Sequence, residues 1–154
     1  MTPVLRFLRL PDADTDIALP SYETSGAAGA DVRANFPPKS RGGATLEPLE
    51  RCLIPTGLAV EIPQGFEAQI RPRSGLALKQ GIGLVNAPGT IDSDYRGPLG
   101  VILVNLGAEP VHIAHGDRIA QLVVAPVVRA TIVSADALSN SPRGCDGFGS
   151  TGKS

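Results

Sequence analysis

Short runs of β character recur along this chain, and Pro or Gly interrupts nearly all of them. They span Val4 to Leu10, Leu58 to Ile62, Phe66 to Ile70, Leu99 to Leu106, Val111 to Ile113, Ile119 to Val124 and Val127 to Val133. Several alternate cleanly, as in Leu58, Val60, Ile62 and in Phe66, Ala68, Ile70, which is the period of a half-buried strand. No window carries a sustained helical stripe. The one helix the sequence supports is Ser74 to Gln80, with Ser74 as its cap and Gly81 as its stop. The fold class is therefore all-β, a sandwich or jelly roll with one short helix. At 154 residues the chain is the size of a single domain. A chain of that size buries roughly 70% of its unfolded surface, enough for one core.

The run Ile119 to Val128 is apolar on both faces apart from Gln121. Such a strand must be covered on both sides, and a subunit interface is an economical cover. A homo-oligomer is expected. The division expected along the chain is a β domain over 1–138 and a flexible arm over 139–154. The arm is rich in Gly, Ser and charge and cannot bury enough apolar surface to order itself. It nevertheless carries Arg143 and Phe148, which suits an arm that closes over a ligand.

Bulk properties exclude several functions. The net charge of −1 leaves no general basic field for a polynucleotide. No run of about 18 apolar residues occurs, so no membrane partner is expected. The N-terminus is interrupted by Arg6 and Arg9 and does not read as a signal peptide. Cys52 and Cys145 lie far apart without metal spacing, so a cytoplasmic protein with two free thiols is the plain reading. His112 and His115 have no Cys or carboxylate at metal-ligand spacing. Arginine outnumbers lysine 11 to 3, and position says more than count. Arg73, Arg96, Arg118 and Arg143 each lie in or beside a glycine-containing turn, where forked recognition of phosphate is geometrically natural.

Residues 89 to 97, Gly-Thr-Ile-Asp-Ser-Asp-Tyr-Arg-Gly, concentrate the chemistry. They lie between the apolar runs Ile82 to Val85 and Leu99 to Val104. Two carboxylates, an aromatic ring and a guanidinium share one glycine-bounded hairpin, more than a turn needs for backbone reasons. The chain has four Phe, two Tyr and no Trp. Two of those six rings, Tyr95 and Phe148, sit in polar, glycine-rich segments, where aromatics commonly stack on bases or sugars. Pro72 to Ala77 ends a strand and opens the helix. Its first-turn amides, the Ser74 hydroxyl and Arg73 suit an anion, and equally an ordinary N-cap with a surface Arg. Gly116 to Gln121 is a turn feeding a buried strand, and the Gln121 amide there needs partners. Ala28 to Val32 places Asp31 after a glycine turn. The last eight residues match the phosphate-loop pattern G-x-x-x-x-G-K-S, but no residues follow to form the helix that loop requires. Their glycine-rich amides and hydroxyls can still wrap a terminal phosphate.

Taken together these segments resemble the five ordered motifs of the trimeric dUTP diphosphatases, the dUTPases. The motifs are Ala28 to Val32, Pro72 to Ala77, Asn86 to Gly97, Gly116 to Val123 and Arg143 to Gly152. Val32, where the first motif often has Leu, and Cys145 in the fifth are small departures. The resemblance implies a jelly-roll homotrimer with active sites shared between subunits and closed by the C-terminal arm. It implies hydrolysis of dUTP to dUMP and diphosphate with Mg²⁺ bound through the substrate phosphates. No protein residue would ligate the metal directly, and Asp31 is a candidate for an outer position around it or for a subunit interface. Asp92 would orient and deprotonate the attacking water. Arg73, Ser74, Gly75 and Gln121 would hold the phosphate chain, and Arg143, Ser150 and Thr151 would close on the γ-phosphate. Asn86 and the backbone of Thr90, Ile91 and Asp92, with Gly100 nearby, would read the uracil edge. Tyr95 would pack on the deoxyribose and Phe148 on the base. Asp94 and Arg96 would brace the hairpin or a subunit contact. Two other readings compete. A dCTP deaminase of the same fold needs an acid–base group beside C4, typically Glu, and residues 86 to 100 contain none. A regulatory nucleotide-binding protein without activity is disfavoured by intact Asp92, Arg73 and Arg143.

Overall fold

In the computed structural model, which describes residues 2–142 together with Gly144 and Cys145, strands dominate. The first sheet has the order β1 (Arg6–Arg9), β4 (Arg51–Glu61), β8 (Pro98–Asn105), β6 (Ile82–Leu84). The second has the order β2 (Ala30–Arg33), β10 (Arg118–Pro126), β5 (Phe66–Arg71), β7 (Gly89–Ile91). A two-stranded ribbon pairs β3 (Ala44–Leu46) with β9 (Val111–Ile113). Every pairing is antiparallel. The expected all-β sandwich with one short helix is what forms.

Alternation explains the core. Leu99, Val101, Leu103 and Asn105 of β8 point inward, and the residues between them are partly exposed. The three apolar ones meet Val32, Ile70, Ile119 and Leu122 of the second sheet in one apolar cluster. Burying each such side chain stabilises the fold by about 1.5–3 kcal/mol. Asn105, fully buried, is the polar member of this row. Its amide donates to the carbonyls of Leu46 (2.9 Å) and Glu109 (2.8 Å), and its oxygen accepts from the Gly107 N–H (2.9 Å). With those partners its burial is not penalised.

The structure corrects several sequence expectations. β4 begins at Arg51, well before Leu58, because Pro55 and Gly57 do not end it. The register shifts between Pro55 and Leu58, Gly57 takes φ +67°, and the Thr56 hydroxyl donates to the Leu99 carbonyl at 2.6 Å. Pro and Gly here build a bulge. Val127 to Val133 forms no strand. Val128 and Ile132 are each 94% exposed. β propensity in that run has no facing surface among the described residues to act on. β10 is likewise buried only over Ile119, Ala120 and Leu122, and from Val123 onward it is half-covered or open. The helix α1 (Ser74–Gln80) has the expected bounds and the expected stop, with Gly81 in the left-handed region at φ 70°. Its N-cap position, however, is held by Arg73, with no side-chain cap bond, and Ser74 is the first helical residue. Among the described residues no helix is long and apolar enough to cross a membrane.

Candidate active site

The connection from β6 to β8 carries the first group of site residues. These strands form a true antiparallel pair, Ile82 to Leu84 against Leu103 to Asn105, extended by the Val85 N–H to the Ile102 carbonyl at 3.1 Å. The loop between them is not a simple hairpin tip. Its middle, β7, crosses to the second sheet and pairs with β5, Thr90 opposite Gln69. Period two then sorts the side chains. Ile91 points into the core, whereas Thr90 and Asp92 are exposed. Ile91 thus offers a ligand its backbone only. Gly89 is buried, and a Cβ there would stand 3.1 Å from Asn86 Nδ2, so the missing side chain lets the Asn86 amide lie against the strand.

After β7 the chain turns tightly. The Tyr95 N–H donates to the Asp92 carbonyl at 3.1 Å. Arg96 Nη1 donates to the carbonyls of Ser93 (2.7 Å) and Tyr95 (2.8 Å). The Tyr95 hydroxyl donates to the Pro98 carbonyl at 2.9 Å. Asp92 is therefore presented from a turn whose backbone is cross-braced. Arg96 makes that brace, as expected, while Asp94 is exposed. Asn86, Tyr95 and Gly100 line one cavity of about 620 Å³, whose walls include Leu53, Pro55, Leu99 and Ile102. Mostly apolar walls with a few polar groups suit a small planar ligand.

The second group surrounds Asp31. This carboxylate is only 4% exposed and lies in β2 opposite Gln121 of β10. Its oxygens accept from Arg118 Nη1 at 3.0 Å and from Gln121 Nε2 at 3.2 Å, and Arg73 Nε stands 3.6 Å away. Arg73 Nη1 donates to the Arg118 carbonyl at 2.9 Å. Gly29 leaves room for Gln121, since a Cβ there would be 3.0 Å from Gln121 Cβ. Arg73 and Arg118 open with Arg33 onto a second cavity, of about 360 Å³, whose only acidic lining residue is Asp117. Ser74 and Gly75 are exposed at the start of α1, beside Arg73. Three guanidinium groups against one carboxylate make an anion-attracting concavity.

Asp31 is therefore a brace for cationic and amide side chains. Sequence reasoning left it as a candidate outer group around a metal or an interface residue, and counted Arg118 among the turn arginines suited to phosphate without giving it a place in the site. The signal for Arg118 was present in its place after Gly116 and Asp117, but its partner is 87 residues away. Among the described residues no three His, Cys, Asp or Glu come together. Both oxygens of Asp31 are engaged by side chains of the same chain, so this buried carboxylate is satisfied without a cation.

The two cavities share no lining residue. One chain thus presents a largely apolar cavity and an arginine-lined cavity as separate features. Arg143, Phe148, Ser150 and Thr151 lie outside the described residues.

Comparison with known proteins identifies this arrangement. The dUTPase family model matches residues 15–152. The deoxyuridine 5'-triphosphate nucleotidohydrolase of Dinoroseobacter shibae is 60% identical over 154 residues, covering 99% of each chain. The Staphylococcus bacteriophage 80alpha dUTPase, solved with dUPNHPP, superposes with TM-score 0.85 at 27% identity over 99% of this chain and 100% of that one. A mutant dUTPase from phage phi11 of S. aureus, described with a structural Mg(II) ion, shares the fold at TM-score 0.75 and 23% identity, over 89% of this chain and 99% of that one. The β6–β8 connection, the Asp31-centred cluster and these likenesses all lead to one assignment: the chain belongs to the dUTPase family.

Proposed function

We propose that this protein hydrolyses dUTP to dUMP and diphosphate, which limits uracil incorporation into DNA and supplies dUMP for thymidylate synthesis. The observation that carries the reading is the pairing of a largely apolar cavity lined by Asn86, Tyr95 and Gly100 with a separate cavity lined by Arg33, Arg73 and Arg118. A nucleoside triphosphate has those two halves.

Asp92 orients the water that attacks the α-phosphorus in line and accepts its proton. A carboxylate is a weak base for this work. Positioning then matters more than basicity, and general-base assistance contributes about 10²–10⁴-fold. The braced turn from Asp92 to Pro98 is what fixes that position. Arg73, Ser74, Gly75 and Gln121 hold the phosphates, with Arg118 added to the set. Gln121 donates one amide hydrogen to Asp31 and keeps the other for a phosphate oxygen. Through the phosphates they grip, these residues would also hold Mg²⁺, which would supply positive charge against the leaving diphosphate. Asn86 and the Thr90 to Asp92 backbone read the uracil edge, where a mismatched base leaves buried polar groups unpaired. Tyr95 faces the deoxyribose. Arg143, Phe148, Ser150 and Thr151, in the 139–154 arm, close over the ligand.

The active unit is a homotrimer. Val85 just after β6, Ile102 of β8 and Leu53 of β4 lie side by side on the face of the first sheet turned away from the core. Leu53 is 63% and Val85 52% exposed. Apolar side chains aligned on an outer sheet face call for a cover. The exposed Val127, Val128, Ile132 and Val133 beyond β10 call for one too. Neighbouring chains supply both covers and bring the two kinds of cavity together at each interface.

Asp92→Asn tests the chemistry. It keeps the size of the side chain and removes the proton acceptor, so turnover should fall at least about 10²-fold while nucleotide affinity persists. A near-normal kcat would refute the role of Asp92.

A further inference from the structure

Gly97 ends the braced turn, and nothing in its backbone demands glycine. It is absent from the positive-φ residues of the chain. Its neighbour is what forbids a side chain. A Cβ built at position 97 would overlap the Tyr95 phenolic oxygen and stand 2.6 Å from Tyr95 Cζ and 2.9 Å from Cε2. The Tyr95 ring is folded back over Gly97 and tied there by its hydroxyl, which donates to the Pro98 carbonyl at 2.9 Å. Tyr95 remains 44% exposed, so part of the ring is free for a ligand.

The backbone around this seat cannot readily give way. The Tyr95 N–H is bonded to the Asp92 carbonyl, and Arg96 bridges the Ser93 and Tyr95 carbonyls. An added methyl group must therefore displace the ring, breaking the bond to Pro98. We propose that Gly97 and the Pro98 carbonyl are specificity-determining positions that set the plane of the Tyr95 ring, and through it the exclusion of the ribose 2′-hydroxyl. The inference rests on the reading of Tyr95 as the sugar-facing ring. Gly97 itself touches no substrate atom and acts as a positioning residue.

The test compares the ratio of kcat/KM for dUTP to that for UTP in Gly97→Ala, Tyr95→Ala, the double variant and Tyr95→Phe. Gly97→Ala is expected to lower the ratio by about tenfold or more, within the range that one methyl-sized misfit produces. The double variant should discriminate no worse than Tyr95→Ala alone, because Gly97 acts only through the ring. Tyr95→Phe, which keeps the ring and the glycine but loses the tether, should fall between wild type and Tyr95→Ala, and it serves if Gly97→Ala does not fold. A wild-type ratio in Gly97→Ala, or in Tyr95→Phe, alongside a reduced ratio in Tyr95→Ala overturns the inference and leaves the sugar-facing role intact. A wild-type ratio in Tyr95→Ala overturns both.

Discussion

Replacing Asp31 by Asn should unsettle three side chains at once. The carboxylate is 4% exposed, and its two oxygens serve Arg118 at 3.0 Å and Gln121 at 3.2 Å, with Arg73 at 3.6 Å. Asn keeps one acceptor oxygen but puts an NH₂ group where the other oxygen stood. That NH₂ must face either the Gln121 amide hydrogens or the Arg118 guanidinium, donor against donor. A lost hydrogen bond to a charged group costs about 1.5–3 kcal/mol. The Arg73 contact is longer, and Arg73 and Arg118 are 26% and 39% exposed, so water screens both and neither adds a full increment. A net loss of about 2 kcal/mol follows. For a domain of this size that lowers Tm by roughly 4–8 °C. Arg73 and Gln121 also lose the anchor that aims them at the phosphates. If the same 2 kcal/mol is lost from transition-state binding, kcat/KM for dUTP falls about 30-fold. Scanning calorimetry and a diphosphate-release assay on the same preparation measure the two effects. A Tm within about 1 °C of wild type together with unchanged kcat/KM would show that Asp31 braces nothing.

Three further outcomes are expected. Ending the chain before Arg143 should sharply reduce kcat/KM and leave the trimer intact by light scattering; undiminished activity would refute the closing arm. Val104→Asp places a charge on the outer face of β8 and should shift the assembly from trimer toward monomer; an unchanged mass in light scattering would place the interface elsewhere. The Asp14 carboxyl is held below the usual carboxylate range, first by the Asp16 N–H at 3.0 Å and then by His115 and Arg41. Its contribution to stability is fully present above the unfolded-chain value of about 3.9 and is lost as pH falls through the lower folded-state value. Denaturant titrations of wild type and Asp14→Asn should therefore converge in strongly acidic buffer, and a gap that persists there would contradict the coupling.

Local rules made the strands and the helix legible. Alternation in Phe66 to Ile70 and the Gly81 stop after Gln80 depend only on near neighbours, and both held. Long-range partners set the rest. Asp31 looked like the end of a glycine turn because Arg118 and Gln121 are 87 and 90 residues away. The crossing of Gly89–Ile91 to β5 was hidden for the same reason, since three residues carry no statement of which sheet they join. Pro55 and Gly57 looked like strand breakers because a bulge uses the same residues as a turn. Val127 to Val133 misled in the opposite direction. Its β-branched composition suits a packed strand, and no facing surface for it lies among the described residues. Asp92, Tyr95 and Arg73 stood out in the sequence because each breaks the local pattern around it, a polar or aromatic group where backbone geometry alone asks for none, whereas Asn86 was named only through the family resemblance.

The most direct measurement is diphosphate release from dUTP, dTTP, dCTP and UTP at equal concentration, with and without Mg²⁺. Rapid release from dUTP, with the other three nucleotides strongly disfavoured, is the predicted result. Comparable release from dTTP or UTP, or ammonia from dCTP, would contradict the assignment.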